Sequence, residues 1–491
     1  MLRAQSGRML YSTSNEQRAT EKGNTMPKTM LVVSDLHLAD GDAVLDGWGR
    51  RQQEAFVALL NAAQPGGKLA DETVELVING DCFDFLLAQP SLEARLTTDV
   101  TMAHAKWAAI ATAHEPFFAA LHDFLRSPTH RVTFTIGNHD LELLFPSIRA
   151  RVRFAINAAP GMVRFCLTRA YQPVADVIIE HGCQYDPWNI IPAVWDAKPP
   201  ISTPMQLETG DGRGSPVGPM TLPWGSRYFY HAFLPTKQRF PYIDMLMPPL
   251  DSLRQGALLS LLAPDLLAEA MRHSQDLVAN PGEPFPTLSD ADDVAPTQLF
   301  SMALGSMQQV MSEVLSASGG WNPQAAQALG LESARLYAAL ELERSTALAT
   351  IVAPQPIEYA DGKTLPPTSA LLHDAPTTRY AIVGHTHLEG RWTLSTDQVL
   401  LDTGTWLPRL AAPEVAAWDS AFAEWFAHPL MTPYAGDDAT RFTVAWVRSE
   451  QGIRSVVELI AWDGDGFIPV SDRALAAWLP VTPTTEPSAT Q

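Results

Sequence analysis

The sequence predicts an α/β fold in which buried strands alternate with helices. Three short apolar runs each stop at a polar turn, at residues 29–34, 73–79 and 131–136. Helical patterns lie between them, at residues 50–63 and 100–126. Short apolar runs bounded by turns are typical of strands buried on both faces, and their alternation with helices is typical of α/β domains.

Further strands are expected on both sides of a long middle segment. The expected strands are at residues 163–167, 177–180, 379–383, 391–394, 398–401, 441–447 and 453–461, of which the last two would form a closing hairpin. In sheets of this kind, ligands bind beyond the carboxyl ends of the strands. Polar residues that follow the end of a strand are therefore candidates for a functional site.

The middle segment interrupts the α/β pattern. It begins with an irregular stretch rich in Pro, Gly and aromatic residues at 199–249, followed by helical runs at 250–273, 296–318 and 323–353. We therefore predict five parts, which are a disordered leader at 1–28, a first core part at 29–189, a mostly helical cap insertion at 190–375, a second core part at 376–479 and a flexible tail at 480–491.

The composition limits the possible partners. A hydrophobic content of 46% allows a sizeable core, and a net charge of −20 disfavours binding to nucleic acid. The 3 cysteines are too few for a disulfide framework or a cysteine-based zinc cluster, and they favour a reducing compartment. We see no secretory signal and no run of about 18–20 apolar residues, so we expect a cytoplasmic protein without a transmembrane segment.

The first two polar motifs follow the first two strands. Asp35 and His37 are two residues apart, and side chains at that spacing point the same way in an extended segment, so we expect both to reach one cation. Gly80 permits a sharp exit from the second strand. The carboxylate of Asp81 has two oxygens and can therefore bridge two ions.

Three more motifs follow later strands. Asn138 offers a neutral amide oxygen, and His139 is placed to act on a substrate rather than on a metal. His181 follows the strand at 177–180. His385 and His387 repeat the spacing of the first motif with two imidazoles.

Taken in order, these motifs (D-x-H, G-D, G-N-H-D, H and G-H-x-H) resemble the series found in calcineurin-like metallophosphoesterases. The resemblance covers residues 29–187 and 379–410 and does not extend to the insertion. It implies a β-sandwich flanked by helices that carries a binuclear metal site. A subgroup of the family has Arg in place of the histidine of G-N-H-D, and the presence of His139 argues against that subgroup.

The resemblance also implies a role for each residue. One metal would be held by Asp35, His37 and His387, the other by Asn138, His181 and His385, and Asp81 would bridge them. Oxygen and imidazole ligands suit Mn²⁺, which we expect first, with Fe or Zn²⁺ as alternatives. A hydroxide bridging the metals would attack phosphorus, with His139 as general acid and Asp140 orienting its ring.

Several alternatives stay open at this point. The substrate would be a small phosphomonoester or phosphodiester, but a catalytically silent scaffold or partner-binding module with the same fold is also possible. Asp84 could support the site or be a turn residue, and residues 182–189 could line a substrate pocket or form an ordinary loop. Cys82 and Cys183 could be redox-sensitive or simply small buried residues. The sequence predicts neither the natural substrate nor the oligomeric state.

Overall fold

The computed structural model of the chain describes thirteen stretches of residues. They are 29–43, 45–89, 99–186, 189–191, 207–208, 222–241, 245–247, 357–358, 364–365, 367–395, 397–411, 440–449 and 454–470. Every structural statement below concerns these residues. The leader, the tail and the three helical runs predicted between residues 250 and 353 lie outside them.

Seventeen strands and seven α-helices are described. The strands are β1 (Thr29–Val33), β2 (Val74–Asn79), β3 (Arg131–Thr135), β4 (Val163–Cys166), β5 (Ala170–Val174), β6 (Val177–Glu180), β7 (Leu207–Glu208), β8 (Leu246–Met247), β9 (Ile357–Glu358), β10 (Thr364–Leu365), β11 (Tyr380–Val383), β12 (Glu389–Thr393), β13 (Val399–Thr403), β14 (Leu410–Ala411), β15 (Thr443–Arg448), β16 (Val456–Trp462) and β17 (Phe467–Pro469). The helices are α1 (Arg50–Asn61), α2 (Val100–Ala113), α3 (Glu115–Phe124), α4 (Pro146–Ile156), α5 (Trp224–Tyr228), α6 (Leu234–Arg239) and α7 (Ala370–Asp374).

Two mixed sheets make up the core. The first has eight strands in the order β17-β16-β15-β1-β2-β3-β4-β7, and β1 to β4 run parallel. The second has five strands in the order β12-β13-β11-β6-β5, and β13, β11 and β6 run parallel. The remaining strands pair in two short two-stranded sheets, β9 with β10 and β8 with β14.

The two sheets pack face to face, and helices cover the outer faces. In β1 the side chains of Met30 and Val32 pack with Ile179 and Ile382 of the second sheet, while the alternate residues of the strand pack towards helices α1 to α4. On the far side of the second sheet, Leu371 of α7 covers its outer face. This alternation follows from the two-residue period of a strand, and it confirms the predicted sandwich flanked by helices.

The strands predicted from the apolar runs are confirmed, with ends that differ by at most three residues. The predicted helix over residues 100–126 is wrong in one respect, because it divides into α2 and α3 at His114, where φ is −114° and ψ is 33°. Pro116 lies in the first turn of α3. Proline has no N–H to donate and its ring crowds the preceding turn, so one continuous helix cannot form there.

The prediction of irregular structure over residues 199–249 is also wrong in part. Residues 224–239 are helical and consist of α5, a π-helical turn at Phe229–Phe233 and α6. Two prolines favoured the wrong prediction. Pro223 precedes α5 and Pro235 lies in the first turn of α6, which are positions where a helix tolerates proline.

The boundaries predicted for the insertion stay a prediction, because most of that segment is not among the described residues. No helix in the described part of the chain is both long enough and apolar enough to span a bilayer.

Candidate metal centre

The carboxyl ends of five parallel strands from both sheets meet at one site. Side chains that follow β1, β2 and β3 of the first sheet contact side chains that follow β6 and β11 of the second. For example, the backbone N–H of His385 donates to Oδ2 of Asp35 over 3.0 Å. The structure thus brings together the motifs predicted before and after the insertion.

One group contains Asp35, His37 and His387. The Nε2 atoms of the two histidines are 3.0 Å apart, and Oδ1 of Asp35 lies 3.8 Å from Nε2 of His37 and 3.5 Å from Nε2 of His387. Ligand atoms about 2.1 Å from a common ion, at right angles to each other, stand about 3 Å apart. The three side chains can therefore hold one cation.

A second group contains Asp81, His181 and His385, whose potential ligand atoms all lie within 4.8 Å of one another. Oδ2 of Asp81 is 3.1 Å from Nε2 of His181 and 3.9 Å from Nε2 of His37. The same carboxylate oxygen thus faces a histidine of each group, which is the placement that a bridging ligand requires.

Three polar atoms of the proposed ligands are buried and form no hydrogen bond, although Nε2 of His181 lies 3.1 Å from the carboxylate of Asp81. They are Oδ1 of Asp35, Oδ1 of Asn138 and Nε2 of His181. A buried polar atom without a partner costs about 1–3 kcal/mol, and native proteins rarely leave one unsatisfied. All three are metal-ligand atom types, so the donor set fits divalent cations that complete its coordination.

Three of the histidines have one ring nitrogen engaged with a protein group. Nδ1 of His37 lies 3.0 Å from Oδ2 of Asp84, Nδ1 of His181 lies 3.0 Å from the carbonyl of Asn79, and Nε2 of His385 lies 3.0 Å from Oδ2 of Asp186. Partners of this kind are usual around metal-binding histidines, because they fix the tautomer and the ring orientation. In each ring the other nitrogen is left for a cation.

Asp84 also contacts His139, which corrects the role expected for Asp140. Nδ1 of His139 lies 3.0 Å from Oδ2 of Asp84. Both carboxylate oxygens of Asp140 instead accept backbone N–H groups, from Gly137 over 2.7 Å and from Cys82 over 2.9 Å. Asp140 therefore joins the turns that follow β2 and β3, and it is engaged there rather than at the ring of His139.

His139 lies beside Asp81, the carboxylate that is expected to bridge the two ions. Its backbone N–H donates to Oδ1 of Asp81 over 2.8 Å, and its ring is near enough to Asp81 and His37 for the three to share a cation. The side chain of His139 is 19% exposed and that of His387 is 35% exposed, whereas Asp35 and Asp81 are buried. The site therefore opens on the side where these two histidines lie.

Five of the proposed metal ligands have backbone conformations that most residues avoid. Asp35, His37, Asp81, His385 and His387 have φ values of 54°, 50°, 49°, 72° and 60°. Each such residue costs about 1–3 kcal/mol, and strain of this kind concentrates at functional sites. The expectation that the D-x-H and H-x-H segments are extended is wrong, because both residues of each pair are left-handed.

Two glycines give the ligands the space they occupy. A Cβ atom on Gly137 would lie 2.1 Å from Oδ1 of Asp81, and one on Gly384 would lie 2.4 Å from Oδ2 of Asp35. Any side chain at these positions would displace a carboxylate of the site. The glycines of G-N-H-D and G-H-x-H are therefore required by close packing.

Burial and charge act in opposite directions on the titration of the site. Burial raises the pKa of Asp35, but the positive charge of His181 and the contacts with His37 and His387 outweigh burial and lower that pKa well below its ordinary value. Burial disfavours protonated His181, but Asp81 and Asp35 raise its pKa to about 10. These buried carboxylates demand positive charge, which protons or metal ions can supply.

Two cysteines and the segment that follows β13 have packing roles around the site. Burial raises the pKa of the Cys82 and Cys183 thiols well above the ordinary value, so both stay protonated, as expected of small buried residues. Thr405 donates through Oγ1 to the carbonyl of Asp35 over 2.8 Å, and Trp406 is completely buried. The segment after β13 thus contacts Asp35 and supports its position.

The sequence left the role of Asp84 open, and it indicated no contact of Asp186 or Asn189 with a proposed ligand. The position of Asp84, three residues after Asp81, was the available signal for it. Asp186 is only 8% exposed, and its carboxylate contacts His385, which follows the insertion in the chain. No sequence pattern relates those two positions.

One comparison, with a protein-family model, matches the part of the chain that carries the first four motifs. The family model for calcineurin-like phosphoesterases matches residues 28–195, which include Asp35, Asp81, Asn138 and His181 but not His385 and His387. A comparison with curated proteins gives no match. Among solved structures, a dimetal phosphatase from Danio rerio aligns over 91% of this chain and 99% of its own, at 12% identity and a TM-score of 0.30, a score too low to support an inference about fold or function. The match to the family model, together with the sandwich and the motif series, identifies a calcineurin-like phosphoesterase domain in this chain.

Proposed function

We propose that the protein hydrolyses a small phosphomonoester or phosphodiester with two divalent metal ions. The observation that carries this proposal is the set of three buried ligand atoms that form no hydrogen bond, on Asp35, Asn138 and His181. Asp35, His37 and His387 would hold one ion, Asn138, His181 and His385 the other, and Asp81 both. The oxygen and imidazole donors favour Mn²⁺, with Fe or Zn²⁺ as alternatives.

When bound, two such ions activate a water molecule as nucleophile and neutralise charge on the phosphoryl oxygens. The residues of the chain would prepare the rest of the reaction. Asp84 holds Nδ1 of His139, which leaves Nε2 as the atom that can deliver a proton to the leaving oxygen. Burial lowers the pKa of His139, but Asp84 and Asp81 outweigh burial and raise that pKa above its ordinary value, which favours the protonated ring.

The leaving group would lie beside Phe229. The ring centroid of Phe229 is 6.2 Å from that of His139, and the two ring planes are at 76° to each other. Phe229 begins the π-helical turn, which is anchored where Tyr230 donates through its hydroxyl to the carbonyl of Leu86 over 2.7 Å. Because the general acid must touch the leaving oxygen, an apolar or aromatic leaving group would contact Phe229.

The proposal is tested by stripping the full-length protein with a chelator, reloading it with Mn²⁺, and assaying p-nitrophenyl phosphate and bis-p-nitrophenyl phosphate. We expect hydrolysis that requires metal and falls to the background rate in Asp81→Ala and Asn138→Ala. Asp176→Asn is the control, because Asp176 immediately precedes β6, at the opposite end of the strand from His181, and its carboxylate accepts hydrogen bonds from Ser455. A folded, metal-loaded protein that hydrolyses neither these esters nor a broader panel would favour the silent scaffold.

The free, buried cysteines support the cytoplasm as the proposed compartment.

A further inference from the structure

Asp186 and Asn189, in the segment that follows β6, connect two of the ligands proposed for one metal. Oδ2 of Asp186 lies 3.0 Å from Nε2 of His385, and Nδ2 of Asn189 donates to that same oxygen over 2.6 Å. Nδ2 of Asn138 in turn donates to Oδ1 of Asn189 over 3.3 Å. The chain of contacts thus runs from Asn138 through Asn189 and Asp186 to His385.

We propose that Asp186 and Asn189 are positioning residues for a single metal, the one held by Asn138, His181 and His385, and that their loss releases this ion before the other. The inference rests on the proposed function in that it takes the two-metal site as given. It adds that the two ions depend on different supporting residues.

The contact with Asn189 determines which end of the Asn138 amide meets the cation. An amide has a donor end and an acceptor end, and only the oxygen can bind a metal. Donation from Nδ2 to Asn189 turns Oδ1 the other way, and Oδ1 is buried without a hydrogen-bond partner. Without Asn189 the amide could rotate and offer its nitrogen, which repels a cation.

The contact with Asp186 does the same for His385. With Nε2 directed at the carboxylate, Nδ1 is the nitrogen free to bind a metal. A carboxylate on the far side of a ligating imidazole also increases its basicity and fixes its plane, and removing such a partner typically weakens metal binding by about 10- to 100-fold. Asp186 is buried, so water replaces this contact poorly.

The other ion has a different support. In the group of Asp35, His37 and His387, the ring of His37 is held by Asp84, whose Oδ1 also accepts the backbone N–H of Leu87 over 2.8 Å. Asp84 follows β2 and Asp186 follows β6, so the two carboxylates come from different sheets. Removing Asp186 should therefore leave in place the ion held by Asp35, His37 and His387.

The test measures metal binding by the full-length protein, independently of activity. Chelator-treated wild type, Asp186→Ala, Asn189→Ala and the control Asp176→Asn are titrated with Mn²⁺ by calorimetry, and bound Mn²⁺ is counted after gel filtration. Electron paramagnetic resonance distinguishes a coupled Mn²⁺ pair from single ions. We expect two ions and a coupled pair in wild type and control, but one tight ion, one ion about 10- to 100-fold weaker and an uncoupled signal in both variants.

Combined variants identify which ion is lost. Asp186→Ala added to Asn138→Ala should weaken binding little beyond either change alone, because both act on the same ion, whereas Asp186→Ala added to His387→Ala should abolish tight binding of both. Equal weakening of both ions, or no weakening, in folded Asp186→Ala and Asn189→Ala would overturn the inference. A wild type that binds two ions with this pattern but hydrolyses no ester would overturn the proposed function and leave this inference standing.

Discussion

The carboxylate of Asp84 accepts a hydrogen bond from the ring of His139, with Oδ2 3.0 Å from Nδ1, and the same oxygen contacts His37. One buried carboxylate thus supports both the proposed general acid and a proposed metal ligand. The two roles can be separated by the choice of substrate, because a nitrophenolate leaves without a proton whereas an alkoxide needs one.

Replacing Asp84 with Asn should affect alkyl esters more than nitrophenyl esters. We expect kcat for an alkyl phosphate to fall by about 10²-fold or more, because His139 loses the charge that keeps it protonated and oriented. The fall for p-nitrophenyl phosphate should be smaller, because its leaving group needs no proton. Steady-state kinetics at saturating Mn²⁺ measures both, with Asp176→Asn as control. Equal losses on the two substrates would contradict the role of His139 as general acid.

Replacing Phe229 with Ala should change preference among leaving groups. Benzyl phosphate and propyl phosphate both release an alkoxide, and dividing each variant rate by its wild-type rate removes the remaining difference in reactivity. We expect kcat/KM for the benzyl ester to fall by about 5- to 10-fold, because one aromatic contact is worth about 1 kcal/mol, with little change for the propyl ester. A uniform fall for both esters would mean that Phe229 supports the fold of the site rather than the leaving group.

Replacing Gly137 with Ala should impair metal binding, although the substitution changes none of the proposed ligands. The new Cβ atom would lie 2.1 Å from Oδ1 and 2.6 Å from the backbone nitrogen of Asp81, so that segment must move. We expect a loss of about 1–3 kcal/mol in the free energy of unfolding, together with weaker Mn²⁺ binding by calorimetry. Gly466→Ala is the matched control, because a Cβ there meets nothing within 4 Å. Unchanged Mn²⁺ affinity in Gly137→Ala would show that the turn can adjust.

The metal-free protein should lose stability as pH rises, through His181. Its pKa is raised from 6.5 to about 10 in the folded chain, chiefly by Asp81 and Asp35 acting against burial, so the bound proton favours the folded state. This contribution is complete below pH 6.5 and is lost as pH rises through about 10. Urea unfolding of chelated and Mn²⁺-loaded protein should therefore diverge over this range, because a bound ion replaces the proton. Parallel pH profiles would contradict this assignment.

Asp402 should contribute a second, metal-independent pH dependence. Its side chain accepts hydrogen bonds from Thr386 over 2.7 Å and from the backbone of Gly404 over 2.9 Å, but burial outweighs them and raises its pKa from 3.8 to about 8. The stabilising proton is fully present below pH 3.8 and is lost as pH rises through about 8. Between these values the free energy of unfolding should fall less in Asp402→Asn than in wild type. Exposed Asp397→Asn is the control and should follow the wild type.

The strands and the five motifs could be predicted because their signals are local. A buried strand is a short apolar run, and each ligand lies just beyond the end of such a run, as with Asp81 after β2 or His385 after β11. Parallel strands carry their carboxyl ends to one edge, so separate local patterns indicated a common site.

The supporting contacts could not be predicted because they depend on tertiary placement. Asp84 and Asp140 both lie near His139 in the fold, and the sequence gave the nearer neighbour in the chain, Asp140, a role that Asp84 fills. The contact of Asp186 with His385 requires a specific register between β6 and β11, since those strands pair directly. Backbone conformations at the ligands escaped prediction for the same reason, because favourable contacts elsewhere hold them against their local preference.

Ligands for the proposed ions come from both sheets. Asp35, Asp81 and Asn138 follow strands of the first sheet, while His181, His385 and His387 follow strands of the second. A bound ion is therefore a cross-link between the two layers, and its stabilisation is available only after they have docked. Metal affinity in this protein is accordingly a measure of sheet docking, and a substitution deep in the interface could be detected first as a weaker metal site.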